Sequence, residues 1–287
     1  MERTIWQTEN WVEGEIGMGK KESYKEILVC LMDEFLKTGN DEEVKTYLAS
    51  NSSLPGPRGN LELAYAFAEV AEDFSTRNLS KMWELALALT RISANEAPVN
   101  DPKEFLPFCG AVTIGAIASA HKGFRQAFQL LKKLANDQRW RTREGVAMGL
   151  QKLIAKQGQV VLAELDSWIA KNEWLPMRAV VVGVAEPSLL KDVQIAKSAL
   201  VLHEKIFSQI LATGERKTSE FKILRQALGY SLSVVVCAIP KEGFEYMQRI
   251  AGSNDGDVLW VIRENLMKNR LVRNFPEEVA AARKILS

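Results

Sequence analysis

An arginine followed by an apolar run long enough for a helix recurs along this chain at intervals of roughly 40 residues, and that period restricts the fold more than any other property. The segments are RGNLELAYAFAEV from Arg58, WRTREGVAMGLQKLI from Trp140, WLPMRAVVVGVA from Trp174, FKILRQALGYSLSVVV from Phe221 and WVIRENLM from Trp260. Arg143, Arg178, Arg225 and Arg263 are separated by 35, 47 and 38 residues. Arg58 lies 85 residues before Arg143, room for one further unit, and PFCGAVTIGAIASA from Pro107 fills that place without an arginine. A unit of this size cannot bury its apolar face alone. It does so by stacking on its neighbours, so the period predicts a helical solenoid.

The local pattern agrees. Apolar residues recur with helical spacing almost everywhere, and no stretch alternates as a strand would. The periodicity predicts helices near 21–38, 41–50, 60–74, 80–95, 103–120, 124–136, 140–156, 159–171, 174–185, 189–213, 218–236, 241–252, 257–269 and 276–286. Pro55, Pro57, Pro98, Pro102, Pro176, Pro187, Pro240 and Pro276 fall at or beside these boundaries, where proline is tolerated in a first turn. Asp101, Asn136 and Asp255 are placed to cap helices. Longer interruptions at NSSLPGPRGN from Asn51 and ANEAPVND from Ala94 are sites where a stack can bend. With no shift in composition, one continuous solenoid is expected over 55–287, preceded by an N-terminal extension and first helices over 1–54.

Composition excludes several classes. A net charge of +1 does not argue for a general nucleic-acid or membrane binder. Cys30, Cys109 and Cys237 are scattered in apolar surroundings, which argues against a disulfide framework and fits a reducing compartment. The first residues, MERTIWQTENWVEGE, contain no apolar signal core. The longest uncharged runs, Leu106–Ala120 and Ala227–Pro240, are shorter than the roughly 18 residues a bilayer span needs. A cytoplasmic protein without a membrane segment is the expectation.

Asp137 to Arg143 and Asp257 to Arg263 share a six-residue separation, with a helix ending before the acid and another starting near the arginine. This resembles the HEAT repeat, whose units carry an aspartate in the turn and an arginine early in the second helix. The resemblance covers about residues 55–272 and implies an all-α, right-handed α-α superhelix of about six helix pairs. It also implies a ladder between adjacent repeats built from Asp137, Arg143, Arg178, Arg225, Asp257 and Arg263. A guanidinium suits that role because its planar fork binds carboxylates and helix-end carbonyls together. The motif is degenerate: the Arg178 unit has Glu173 and the Arg225 unit Glu220 in place of the aspartate.

Chemical motifs are sparse. Gly14 to Lys21 has the spacing of a phosphate-binding loop, but Lys21 stands where a hydroxyl is needed and no strand precedes it. His121 and His203 are 82 residues apart with no cysteine or carboxylate at ligand spacing, so no metal and no cofactor are expected. Trp140, Trp174 and Trp260 recur just before each arginine, which points to repeated packing, since large aromatics dominate core burial.

Charge placement speaks to a partner. Residues 1–121 hold 11 basic and 19 acidic side chains, and residues 122–287 hold 26 and 17. On helix 140–156, Arg141, Gly145, Met148, Lys152 and Lys156 fall on the stripe opposite the apolar face. The matching stripe on helix 60–74 is Glu62, Tyr65, Glu69 and Asp73, and on helix 218–236 it is Lys222, Gln226, Tyr230 and Ser233. In a HEAT-like stack these second helices line a concave groove, graded from acidic to basic. The expected function is a non-catalytic scaffold that holds a protein or peptide there. The alternative is DNA. The architecture is also similar to that of bacterial alkylpurine DNA glycosylases, which resemble this chain in their HEAT-like repeats and hold duplex in a basic groove; Asp137 is nearest in kind to their catalytic aspartate.

Overall fold

In a computed structural model, residues 18–121, 124–170 and 172–286 are described, and every regular element among them is helical. Of the loop-like motif, Gly14 lies outside these residues, whereas Gly19, Lys20 and Lys21 belong to the first turn of a helix over Met18–Thr38. Internal contacts gather the chain into two compact units, one ending at Lys156 and one beginning at Gln157.

The first unit contains α1 (Met18–Thr38), α2 (Glu42–Ser50), α3 (Leu61–Ser75), α4 (Leu79–Thr90), α5 (Phe105–Ala120), α6 (Phe124–Leu134) and α7 (Trp140–Gln157). Its axis is α5, which packs against α3, α4 and α6. Every residue of α5 from Phe105 to Ser119 is buried. A helix enclosed on all sides must be apolar all round, and the uncharged run in the sequence is what this environment demands.

Glycines set how closely α5 and α7 cross. A β-carbon built on Gly145 would lie 2.6 Å from the Phe108 carbonyl oxygen, and one on Gly149 would lie 2.7 Å from the Ala111 carbonyl oxygen. Glycine inside a helix costs about 1 kcal/mol relative to alanine. Here the missing side chain lets two backbones meet, and the packing gained across the crossing offsets that cost.

The second unit contains α8 (Gln159–Leu165), α9 (Trp174–Val184), α10 (Val193–Leu211), α11 (Ser219–Ala238), α12 (Pro240–Ala251), α13 (Gly256–Leu266), α14 (Asn269–Asn274) and α15 (Pro276–Ile285). Its axis is α11, which packs on α9, α10, α12, α13 and α14. By length and composition α11 is long and apolar enough to cross a membrane, and two-thirds of that stretch is buried inside the unit. The few charges it carries fall in its first turns, so counting uncharged runs alone passes it over.

Most helix ends follow the expected punctuation. Asp255 accepts hydrogen bonds from the backbone N–H groups of Asp257 and Val258 at 3.1 and 3.2 Å, capping α13. Asp101 caps the short 3-10 turn before α5. Asn136 serves the other end of its neighbour: its amide donates to the Lys132 carbonyl of α6 at 3.2 Å. Asn60, Asn78, Asp192 and Thr218 cap α3, α4, α10 and α11 through side-chain oxygens. The short helix α14 falls within what the periodicity reads as the end of one helix and a connecting loop.

A side chain completes the backbone of α11. Asn265 of α13, fully buried, accepts from the Ser233 N–H at 2.7 Å. Its amide donates to the Leu228 carbonyl at 2.8 Å and to its own helix at Val261 at 2.7 Å. One carboxamide thus serves two backbone groups of α11 that lie five residues apart in the sequence.

Candidate functional site

The polar stripes expected on helices 60–74 and 140–156 meet on one face of the first unit. Glu69 of α3 carries them together: its carboxylate lies 2.7 Å from Lys21 and 3.0 Å from Lys25, both on α1, and 3.6 Å from Lys152 on α7. The Lys152 ammonium also sits over the Tyr65 ring, 5.5 Å from its centroid. These are half-buried groups; the side chains of Lys21, Lys25, Glu69 and Lys152 are 25–31% exposed.

The position explains the electrostatics. Burial pushes the Glu69 carboxyl up, but hydrogen bonds from Lys21 and Lys25 and the nearby Lys152 charge hold it below its ordinary value. Lys25 is raised in turn, chiefly by Glu69 and then by Glu22, which lies 3.2 Å away on the same helix. Glu62 at one end of the α3 stripe, Asp73 at the other end and Lys156 on α7 are exposed. The unit as a whole is almost neutral, with 20 basic and 21 acidic residues through Lys156. The acidic-to-basic contrast in the sequence therefore lies within this unit, where opposite charges pair.

The N-terminal half of the α7 stripe differs from expectation. Arg141, expected to be exposed, is buried together with Gly145 and Met148. The loops over 51–60 and 91–104 cover that half of the helix, and Arg141 binds both. It donates to Glu104 Oε2 at 2.7 Å, to the Gly56 carbonyl at 2.6 Å and to Asn100 Oδ1 at 3.0 Å. Its guanidinium also lies over the Trp140 ring, 4.4 Å from the centroid. Glu104 is wholly buried; the same Oε2 also accepts from the Asn100 N–H at 2.8 Å, while Oε1 and the Arg141 Nε have no partner. A buried pair with orphaned atoms is the arrangement in which losing either partner is most costly. Arg139, also buried, forks onto Asp137 at 2.7 and 2.9 Å and reaches the Ser93 carbonyl at 3.3 Å.

Each aspartate of the expected ladder pairs with an arginine other than the one six residues on. The Asp137 carboxylate holds Arg139, while Arg143 donates to the carbonyls of Asp137 and Gln138 at 2.7 and 2.9 Å. In the second unit Asp257 of α13 lies 3.1 Å from Arg225 of α11 and 3.5 Å from Arg216. Arg225 also stacks on Trp260, 4.0 Å from the ring centroid, so it links α11 and α13. Arg263 donates to the Leu286 carbonyl at 3.3 Å, and Arg178 is buried in α9. The recurring aromatics pack between helices: Trp174 meets Phe221 edge to face at 5.2 Å, and Trp260 lies against Gly229.

Of the α11 stripe, Lys222 and Gln226 are exposed whereas Tyr230 and Ser233 are buried. The cause is α14, whose Arg270 reaches the Tyr230 carbonyl and the Ser233 hydroxyl at 3.5 and 3.3 Å. Next to Tyr230 in α11, Ser231 forms a pair with His203 that sequence spacing does not reveal. His203 Nδ1 lies 2.8 Å from the Ala199 carbonyl, which can only accept, so the ring proton sits on Nδ1 and Nε2 accepts from the Ser231 hydroxyl at 3.0 Å. Burial lowers the His203 pKa to about 4, so the ring is neutral at pH 7. Serine beside a neutral imidazole resembles a nucleophile and its base. Both residues are fully buried, and the imidazole is oriented by a carbonyl, so the pair acts as a clamp between α10 and α11.

Among the described residues no group of three or more histidine, cysteine, aspartate or glutamate side chains is placed to hold a metal ion. No protein-family model matches the chain, and neither does any curated protein or solved structure.

Proposed function

We propose that the protein is a non-catalytic scaffold of HEAT-like repeats, wound as a right-handed α-α superhelix, that holds a protein or peptide on the face lined by its second helices. One observation carries the reading: Tyr65 and Glu69 on α3 share a polar face with Lys152 on α7, more than 80 positions later in the sequence. Solenoids build recognition surfaces in this way, from one or two side chains of each successive repeat. The packing of α5 on α3 and, through glycines, on α7, and of α11 on α9 and α13 through Trp174, Phe221 and Trp260, supports repeat architecture. The protein-partner reading is favoured over DNA because Arg141, one of the two basic residues first expected to meet phosphates, is buried and engaged internally by Glu104.

Site-specific photo-crosslinking in cells tests this. A benzophenone amino acid is placed at Glu62 or Tyr65 on the proposed face and at exposed Gln129 on α6 as the control. Protein adducts at 62 and 65 that are absent at 129 are expected. Adducts of equal yield at all three positions, or adducts to nucleic acid alone, overturn the reading.

A further inference from the structure

We propose that the cluster of Lys21, Lys25 and Lys152 around Glu69 is an anchor for an acidic side chain of the bound partner, with Glu69 as the internal stand-in that the partner's carboxylate joins or displaces. This deepens the peptide-binding reading and rests on it.

The argument is one of local charge balance. Three ammonium groups from two helices converge within 2.7–3.6 Å of a single carboxylate. One negative charge cannot neutralise three positive ones. Among the described residues the other carboxylate in contact, Glu22, is 66% exposed and reaches only Lys25. The remaining acids of the α3 stripe are farther off: Glu62 is two turns before Glu69, roughly 10 Å along the axis, and Asp73 is one turn beyond, about 6 Å. The excess positive charge is therefore confined to a spot, flanked by negative charge at both ends. The three lysines are about 70% buried. Partial desolvation strengthens their attraction for an added anion relative to a fully solvated surface. The Tyr65 ring under Lys152 supplies an apolar wall on which the stem of an incoming Glu or Asp can rest. A uniformly acidic strand such as a nucleic-acid backbone fits this pattern poorly, because Glu62 and Asp73 would repel its neighbouring phosphates. A peptide with one acid among neutral residues fits it well.

The experiment is a display selection of short random peptides against the full chain, followed by affinity measurements of the selected peptides on variants. The expected result is peptides bearing a fixed Asp or Glu, weakened about tenfold by Lys25→Met or Lys152→Met and by raised salt. Glu69→Gln is the decisive variant: removing the internal competitor should tighten an acidic peptide several-fold, whereas lysines that serve only to hold Glu69 give no gain. Thermal melts of each variant separate lost binding from lost folding. Peptides that bind the Tyr65 face without an acid, or that are unaffected or weakened by Glu69→Gln, overturn the anchor and leave the scaffold reading standing. Failure to select any peptide overturns both.

Discussion

Replacing Arg141 by methionine removes one partner of the buried pair and leaves Glu104, which is 0% exposed, with only the Asn100 N–H. An uncompensated carboxylate of this kind costs about 3–5 kcal/mol. The Gly56 carbonyl and Asn100 Oδ1 also lose a donor in the same step. Against a typical total of about 5–15 kcal/mol, such a loss is a large share of the stability of the first unit. At about 2–4 °C per kcal/mol for a domain of this size, the melting temperature falls by on the order of 10 °C. Glu104→Gln alone strands the guanidinium and is also destabilising. The Arg141→Met/Glu104→Gln double variant contains neither buried charge, so it should lose less than the two singles combined, by about 2 kcal/mol or more. Urea unfolding at pH 7, followed by far-UV circular dichroism, measures all four corners of this cycle. Lys156→Met, at an exposed position on the same helix, is the control and should stay within about 0.5 kcal/mol of the parent. The reasoning is refuted if Arg141→Met is as mild as Lys156→Met, or if the single losses simply add.

Two further outcomes follow from packing and protonation. His203 is neutral when folded, with a pKa lowered to about 4 from 6.5, so below pH 6.5 the unfolded chain binds a proton that the folded chain refuses. Stability is fully retained above pH 6.5 and falls toward pH 4 at up to about 1.4 kcal/mol per pH unit, roughly 3 kcal/mol in all. Urea midpoints across that range should show this excess slope in the parent and not in His203→Gln; parallel slopes would count against it. Gly149→Ala would place a methyl 2.7 Å from the Ala111 carbonyl oxygen. Backbone on both sides must move, so a loss of about 1–3 kcal/mol is expected in spite of alanine's better helix propensity. Gly256→Ala, where nothing lies within 4 Å, should be close to neutral in the same melts.

The helices were legible because their signals are local. Proline at the first positions of α12 and α15, asparagine and aspartate at N-caps, and apolar spacing are each complete within a few residues. The polar face was legible in part for the same reason: helical spacing groups Tyr65 with Glu69, and Lys152 with Lys156. What periodicity cannot report is which loop lies over a stripe. Arg141 and Lys152 occupy the same helical stripe, yet one is covered by the 51–60 and 91–104 loops and the other is not. Glu104 at the threshold of an uncharged helix was the available sign that a buried cation would be needed. Tyr230 was read as exposed because α14, six residues long, carries too little pattern to be seen. A six-residue spacing reports chain distance alone, so it does not show that Arg139 and Arg225 are the arginines nearest the two aspartates.

The Asn265 carboxamide has a consequence for how this chain can change over evolutionary time. In an idealised repeat protein each helix closes its own ladder, and a unit can be gained or lost without disturbing its neighbour. Here two backbone groups of α11 are bonded by a residue of α13. Each such bond contributes about 0.5–1.5 kcal/mol. The helices α11 and α13 are thereby joined into one inheritable block, which can be duplicated or deleted as a pair but not divided.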